Sequence, residues 1–211
     1  KMLMLDGCVQ PGMLPNINHA TLRVFDALGV QLISAPKAGC CGALRYHLND
    51  QVGGLADAKR NIDAWWPFIE NGKDSIEAIV MNASGCGVMV KDYGHLLAND
   101  PIYANKAERI SQLCKDVSEL LPNFKDALIS RIGSHPKSGV VYHPPCTLQH
   151  GQQIRGKVEG LLESLGISVH LCADSHLCCG SAGTYSILQA NLSEQLRAQK
   201  LQNLEAACTQ S

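Results

Sequence analysis

Short apolar runs alternate along the chain with segments whose apolar residues recur every three or four positions. The short runs are typical of buried strands and predict strands over 2–6, 30–35, 76–81, 139–142 and 167–171. The three-to-four spacing predicts helices over 17–28, 55–69, 88–97, 110–121, 158–165 and 192–204. Strands that alternate with helices in this way indicate βαβ units, so we expect an α/β fold with mostly parallel sheets.

Residues 122–138 interrupt this pattern with two prolines, a glycine and several charges, and the order strand, helix, strand then begins again. We therefore expect two repeated cysteine-rich units, residues 1–135 and 136–211. The abrupt start at Lys1 and end at Ser211 lead us to expect a piece of a longer polypeptide, with the second repeat incomplete.

The cysteines repeat with the same spacing in both halves. Cys8 precedes Cys40 by 32 positions, and Cys146 precedes Cys178 by 32 positions. In each half the second of these cysteines opens a Cys-Cys-Gly sequence, and a helix, a Leu-Gly pair and a strand lie between the two. The matched spacing and matched elements indicate an internal repeat.

Nearly all of these cysteines directly follow a predicted strand. Sites in parallel sheets gather beyond the carboxyl ends of the strands, so we expect the thiols of each half to meet at one edge. The predicted metal ligands are Cys8, Cys40, Cys41 and Cys86 in the first repeat and Cys146, Cys178 and Cys179 in the second.

Ligand sets made only of thiolates bind zinc or iron–sulfur clusters. The adjacent cysteines favour an iron–sulfur cluster, of the 4Fe–4S kind, because neighbouring side chains diverge in extended backbone and reach different metal atoms more easily than one. Zinc is the alternative cofactor. A third interpretation makes the Cys-Cys pairs reactive thiols or vicinal disulfides, but it leaves the shared spacing to a distant cysteine unexplained.

Composition excludes several classes of protein. Ten cysteines in 211 residues are too few for a small disulfide scaffold. Lys plus Arg is 18 and Asp plus Glu is 19, which argues against a nucleic-acid binder. We find no apolar run long enough to cross a bilayer and expect no signal peptide, so the expected location is the cytoplasm, or the inner membrane surface through partner subunits.

Four stretches make the chain resemble a known family. They are residues 61–67, 83–87, 146–150 and 175–185. They resemble the cysteine-rich CCG domains of heterodisulfide reductases and their relatives and, within that superfamily, the iron–sulfur subunits of bacterial glycolate oxidases (glycolate dehydrogenases). The resemblance covers essentially the whole chain.

The resemblance implies an electron-transfer subunit of an oxidoreductase complex, with no catalytic residues of its own. Its partners would be FAD-containing glycolate oxidase subunits, which oxidise glycolate to glyoxylate, and a quinone or membrane acceptor toward the respiratory chain. It also implies an N-terminal module with two ferredoxin-like cysteine runs. This sequence contains neither of these runs. Two other functions stay open: a structural or assembly module with zinc or no metal, and a thiol–disulfide enzyme of the heterodisulfide kind.

The chain departs from the superfamily pattern, which closes each repeat with Cys-x-x-Cys. Ala83 stands where the first of these cysteines would be, which leaves four thiols in the first repeat. Four suffice for a cubane cluster or for zinc. Cys208 precedes any third strand of the second repeat, so we expect the second site to lack a counterpart of Cys86.

The other cysteines and the histidines near the motifs have simpler explanations. Cys114 lies on an apolar stripe, and we expect a packed core thiol there. Cys172 is expected either in the core or beside the second site. His143 and His176 flank cysteines of the second repeat and are expected to be turn or capping residues, with metal ligation or a hydrogen bond to a cluster as the alternative.

Overall fold

The structure is a computed structural model that describes residues 1–70, 76–133, 139–181 and 183–209. The chain divides into two compact units, Lys1–Leu120 and Leu121–Ser211. The repeat boundaries predicted from the sequence, 1–135 and 136–211, stay a prediction.

A parallel sheet forms the centre of the first unit. Its strands are β1 (Met2–Met4), β2 (Leu32–Ser34), β3 (Ile79–Met81) and β4 (Cys114–Asp116), in the order β2-β1-β3-β4. In the register, Leu3 pairs with Ile33 on one side and with Ile79 on the other, and all neighbours are parallel. The two central strands are buried along their whole length, which explains their continuous apolar sequence. The predicted α/β fold is confirmed.

Helices connect these strands. They are α1 (Gln10–Met13), α2 (Pro15–Ala27), α3 (Ala43–His47), α4 (Gln51–Glu70), α5 (Ser84–Lys91), α6 (Tyr93–Leu96), α7 (Ala104–Leu113) and α8 (Val117–Leu120). α2 ends as the Leu-Gly pair predicted: Gly29 has a φ of 76°, and Val30 donates its N–H to the carbonyl of Phe25.

α4 contributes one face to the core of the first unit, together with the sheet and the helices α5 to α7. Ala58, Ile62 and Trp65 lie on this face of α4, and each is 0% exposed. Burying a large apolar side chain in this way stabilises the fold by about 1.5–3 kcal/mol. Pro67 lies in the last turn of α4, which continues to Glu70, because a proline there removes few helical hydrogen bonds.

One predicted helix, 110–121, is wrong. α7 ends at Leu113, Cys114–Asp116 pair with β3 as an edge strand, and α8 follows at once. A strand of three residues is too short to show its own alternation, and pairing with the sheet outweighs the helical spacing of the apolar residues around it. The helix predicted over 88–97 is divided into α5 and α6 at Asp92.

The second unit repeats the start of the first. β5 (Val140–Tyr142) and β6 (Val169–Leu171) pair in parallel, with α10 (Lys157–Ser164) between them. Gly166 has a φ of 84°, and Ile167 donates its N–H to the carbonyl of Leu162, as at the end of α2.

Further helical segments complete the second unit. They are a 3₁₀ turn (Leu121–Phe124), α9 (Lys125–Ile132), a π-helical turn (Thr147–Gly151), α11 (Tyr185–Leu188) and α12 (Ala190–Cys208). α9 occupies a stretch that was expected to interrupt the regular elements. In the part of the chain that the structure describes, no helix has both the length and the apolar character needed to cross a bilayer.

Candidate metal centre

The cysteines of the first unit follow three neighbouring strands. β1 ends at Met4, shortly before Cys8, and β2 ends at Ser34, shortly before Cys40. Cys86 lies in the first turn of α5, which begins just after β3. Because these strands are parallel, their carboxyl ends lie at the same edge of the sheet.

The four thiols of this edge meet in two pairs. Cys8 donates a hydrogen bond to Cys40, with the two Sγ atoms 3.4 Å apart, and the thiol of Cys41 donates to Cys86. Electrostatic interactions connect the pairs, since Cys8 interacts with Cys41 and Cys86 with both Cys8 and Cys40. The structure thus brings together the four cysteines that the sequence singled out, while their role as ligands stays a prediction.

The pairing also changes the acidity of the thiols. Burial, together with the contact to Cys40, raises the pKa of Cys8 to about 11. The shared hydrogen bond raises the pKa of Cys41 and lowers that of Cys86. Thiolate ligands must be deprotonated, so metal binding here would release protons.

The glycine of each Cys-Cys-Gly sequence closes a turn against a helix. Gly42 has a φ of 88°, and an added Cβ would lie 2.5 Å from the carbonyl oxygen of Gly54 in α4. Gly180 has a φ of 82°, and an added Cβ would overlap the carbonyl oxygen of Ser193 in α12. Only glycine fits such a left-handed position in so little space, which accounts for the third residue of the motif.

These glycines also hold the first cysteine of each pair. The N–H of Gly42 points at the Sγ of Cys40 at 3.5 Å, and the N–H of Gly180 points at the Sγ of Cys178 at 3.3 Å. Hydrogen bonds to the sulfur atoms would tune any group that the thiolates bind.

Two buried side chains hold the backbone of the vicinal cysteines in the first unit. Asn61, 0% exposed, donates to the carbonyl of Cys40 at 2.8 Å and accepts the N–H of Gly39 at 2.8 Å. Tyr93 donates to the carbonyl of Cys41 at 2.8 Å and accepts from Asn61 at 3.2 Å. We call Asn61 and Tyr93 the neutral clamp, since both are uncharged side chains that fix the turn from α4 and α6.

A paired cation lies beside this clamp. The guanidinium of Arg60 reaches the carbonyl of Cys40 at 3.4 Å and forms an ion pair with Asp57 at 2.6 Å. Asp57 is buried and Arg60 is 46% exposed at its side chain. The positive charge near the first site is thus compensated by a carboxylate of the same helix.

The second unit brings its three predicted cysteines together as well. The thiol of Cys146 contacts Cys178 and interacts electrostatically with Cys179. Burial, and then these neighbouring thiols, raise the pKa of Cys146. The side-chain amide of Gln149 donates to the carbonyls of Pro144 and Ser175 at 2.9 and 3.0 Å, which ties the two cysteine loops together.

A buried lysine supports the second site. Lys200 of α12 is 4% exposed, and its Nζ donates to the backbone carbonyl of Asp174 at 2.5 Å. Burial and then the charge of Lys200 lower the pKa of His143, which follows β5. The Nε2 atom of His143 is buried and has no hydrogen-bond partner among the described residues.

The remaining cysteines lie outside these thiol pairs, although Cys114 interacts electrostatically with Cys86. Cys114 is buried and donates to the carbonyl of Gly87 at 3.8 Å, and burial raises its pKa to about 12. It packs in the core, as predicted. Cys172 is buried in the second unit, and Cys208 is exposed at the end of α12.

The donor set of each site consists of thiols. This chemistry fits an iron–sulfur cluster and also fits zinc, with Cys8, Cys40, Cys41 and Cys86 as the residues that would hold the group in the first unit. Among the described residues, no three His, Cys, Asp or Glu side chains are arranged to enclose a single ion in common.

Comparison with known proteins agrees with this geometry. The family model for the cysteine-rich CCG domain matches two stretches of the chain, residues 2–91 and 140–210. Each stretch includes one Cys-Cys-Gly turn and the strands before it. The chain belongs to the CCG cysteine-rich domain family.

Several curated proteins are similar to this CCG-domain chain. The glycolate oxidase iron–sulfur subunit of Escherichia coli (strain K12) is 49% identical over 98% of this chain and 49% of its own length. A probable glycolate oxidase iron–sulfur subunit of Bacillus subtilis (strain 168) is 28% identical over 98% of the chain and 45% of its own length. The chain therefore spans about half the length of these relatives.

A second group of relatives carries another name. Lactate utilization protein A of Bacillus pumilus (strain SAFR-032) is 25% identical over 94% of this chain and 79% of its own length. Proteins of both names are thus similar to nearly the whole length of this chain.

The supporting residues of this CCG domain escaped the sequence reasoning. Asn61 and Lys200 are polar residues at the buried face of a helix, and Tyr93 lies on a helix that the sequence placed within a longer one. Their shared spacing becomes visible only in the structure. Asn61 lies seven positions after Gly54 and Lys200 seven positions after Ser193, the two residues on which the glycine turns rest.

Proposed function

We propose that this CCG-domain chain holds a thiolate-bound iron–sulfur cluster of the 4Fe–4S kind and transfers electrons within a glycolate-oxidising flavoprotein complex. The observation that carries the proposal is the meeting of Cys8, Cys40, Cys41 and Cys86 at the carboxyl ends of three parallel strands. The second unit supports it, because the same turn and the same strand pair recur there.

The arrangement of the thiols favours a cluster over a single zinc ion. The adjacent cysteines turn to different partners, Cys40 to Cys8 and Cys41 to Cys86. Thiols that diverge in this way suit a group with several metal atoms better than one central ion. A bound cluster supplies one-electron transfer, at a potential set by burial and by hydrogen bonds to its sulfur atoms.

The protein's own residues hold the site between the core and the surface. Cys41 is buried, whereas Cys8 is exposed. The neutral clamp fixes the backbone of the vicinal cysteines from the core side. A partner that docks over Cys8 would therefore come close to the bound group without disturbing the clamp.

The complex and its substrate follow from the relatives. The relative with 49% identity is named as the iron–sulfur subunit of a glycolate oxidase, which supports a place for this chain in a glycolate-oxidising complex. The family resemblance implies that its partner there is an FAD-containing subunit. We propose that this partner reduces the chain and that a quinone or another membrane acceptor receives the electrons. Because the chain spans about half of that relative, these partners concern the whole polypeptide.

Iron and sulfide analysis of protein purified without oxygen tests the cofactor. We expect iron and acid-labile sulfide together, and a paramagnetic signal after reduction with dithionite. Cys41→Ser should remove the iron of the first site, whereas the matched variant Cys114→Ser should retain it. Full iron content in Cys41→Ser would contradict the ligand assignment.

The same preparations separate the alternatives. One equivalent of zinc without iron would indicate a structural or assembly module. Turnover of a small disulfide substrate would indicate a thiol–disulfide enzyme. For the electron-transfer role, glycolate should bleach the cluster absorbance when the flavoprotein partner is present, and Cys40→Ser should abolish the part of the bleaching that comes from the first site.

A further inference from the structure

Lys200 is a buried cation without a visible counter-charge. Its side chain is 4% exposed, and its Nζ donates to a backbone carbonyl, that of Asp174, at 2.5 Å. Among the described residues, no carboxylate forms an ion pair with it. Burying an unpaired charge is costly unless an opposite charge lies nearby, so this position calls for a negative group.

We take the thiolates of the second cysteine site as the candidate for that group, because α12 supports this site as well. α12 carries both Lys200 and Ser193, whose hydroxyl donates to the carbonyl of Gly180 at 2.9 Å and supports the Cys-Cys-Gly turn. Lys200 lies seven positions further along, about two helical turns, and therefore on the same face as Ser193. α12 packs against β5, whose end leads to Cys146.

Electrostatics place the ammonium close to the loops that carry the thiols. The charge of Lys200 acts on His143, which lies between β5 and Cys146. His143 in turn has a hydrogen bond with the backbone of Leu177, next to Cys178. Lys200 thus binds the loop that leads to Cys178 and acts electrostatically on the loop that leads to Cys146.

The first unit has no such unpaired charge at the corresponding position. Asn61 is the counterpart of Lys200, and it is a neutral amide that bonds to the carbonyl of Cys40. The cation that reaches the same carbonyl, Arg60, is paired with the buried carboxylate of Asp57. The two sites therefore differ in the net charge of their supports.

We propose that Lys200 is a charge-compensating positioning residue of the second site, which raises the reduction potential of the group held by Cys146, Cys178 and Cys179. The inference rests on the proposed function, in which these thiolates bind an iron–sulfur cluster. Thiolate-bound clusters carry net negative charge, and reduction adds one electron. A fixed cation in a low-dielectric interior stabilises the reduced state more than the oxidised state.

Redox titration of the second site alone tests this role. In anaerobically purified Cys40→Ser protein, whose first site is disabled, the cluster signal is followed by paramagnetic resonance as the potential is lowered. Lys200→Met should shift the midpoint to a more negative potential with the iron content retained. Lys200→Gln should do the same while it keeps a donor for Asp174, and Lys200→Arg should stay near the parent.

Arg197→Met is the matched control. It removes one positive charge from an exposed position of the same helix and should leave the midpoint unchanged. An unchanged midpoint in both Lys200→Met and Lys200→Gln, with iron retained, would overturn the role of Lys200 and leave the proposed function intact. An iron-free Cys40→Ser parent, with iron present in the unsubstituted protein, would show that the second site holds no cluster, and would overturn the role of Lys200 while leaving the first-site assignment intact. Loss of iron from Lys200→Gln and Lys200→Arg alike would reduce Lys200 to a structural residue and overturn the proposal.

Discussion

The two units of this chain build the same turn on different supports. In both, a strand pair is joined through a helix that ends at a left-handed glycine, and a Cys-Cys-Gly turn then rests on a later helix. In the first unit the neutral clamp of Asn61 and Tyr93 holds this turn from the core side. In the second unit, the loop that leads into the turn is held by the ammonium of Lys200.

The units also differ in the apolar packing around the turn. The first unit buries large side chains such as Trp65 and Ile62 beneath a four-stranded sheet. Among the described residues of the second unit, the buried apolar side chains are Pro144, Leu148, Ile154 and Cys172.

This comparison separates geometry from electrostatics. The residues that recur, the cysteines and the glycines, are those that fix where the thiols point. The residues that differ, Asn61 and Lys200, fix the charge behind them. A repeated motif can therefore keep one backbone geometry while each copy sets its own electrostatic environment.

The largest expected effect comes from removing the centre of the neutral clamp. Asn61→Leu removes the partner of the part-buried N–H of Gly39 and leaves the carbonyl of Cys40 with only the longer contact to Arg60, at about 1–3 kcal/mol each, so we expect a loss of about 3 kcal/mol in unfolding free energy. Urea denaturation of the metal-free chain measures it. Asn203→Leu removes one exposed hydrogen bond, to Ala173, and should cost less than about 1 kcal/mol. Equal losses in the two variants would contradict a special role of the clamp.

Replacing the turn glycines with alanine tests the Cys-Cys-Gly turn, which both units share. Gly42→Ala and Gly180→Ala each combine a left-handed backbone with an overlap against a helix carbonyl, so we expect losses of about 2–3 kcal/mol at both. Gly29→Ala has a similar φ of 76° but open space around its Cβ, and should cost about 1 kcal/mol. The same denaturation curves test all three. A loss at Gly180 no larger than that at Gly29 would show that the second turn is not seated as the first is.

The cysteine positions and most of the strands could be predicted from the sequence. Cys8 and Cys146 stand at equal distances from the two Cys-Cys-Gly turns, and parallel strands bring their carboxyl ends together by topology. The Leu-Gly pairs at Gly29 and Gly166 marked helix ends correctly, because a helix that stops in the left-handed conformation favours glycine.

The residues that hold the turns and the loops beside them could not be predicted in the same way. A single buried Asn61 or Lys200 resembles the polar face of any amphipathic helix, since periodicity does not show which polar residue points inward. β4 was assigned to a helix because three residues are too few to display the alternation of a strand. Tertiary contacts decide both cases, and only the fold reveals them.

A smaller effect is expected from the second member of the clamp. Tyr93→Phe removes one hydroxyl and leaves the buried carbonyl of Cys41 without that donor, so we expect a loss of about 1–2 kcal/mol. Tyr103→Phe removes an exposed hydrogen bond to Asp63 and should change stability by less than about 0.5 kcal/mol. Thermal unfolding of the metal-free chain compares the two. If Tyr93→Phe matched Tyr103→Phe, the first site would depend on Asn61 alone.

The smallest expected effect concerns Cys114, the buried thiol on β4, and the dependence of stability on pH that it causes. Burial raises the pKa of Cys114 from near 9 to about 12. The folded state therefore holds this proton more tightly, so stability is fully present below pH 9 and declines as the pH rises toward 12. Between pH 7.5 and 9.5 this thiol should contribute a loss of about 0.8 kcal/mol, which Cys114→Ala should remove.

Chemical denaturation of the metal-free chain at the two pH values measures the difference. Cys208→Ala, which removes an exposed thiol at the end of α12, should keep the full decline of the parent. The comparison cancels the packing defect of Cys114→Ala, because that defect is present at both pH values. Part of the decline should persist in Cys114→Ala, because burial and the neighbouring sulfurs also raise the pKa of paired thiols such as Cys8 and Cys146. A decline in Cys114→Ala as large as that of the parent would contradict the contribution assigned to Cys114.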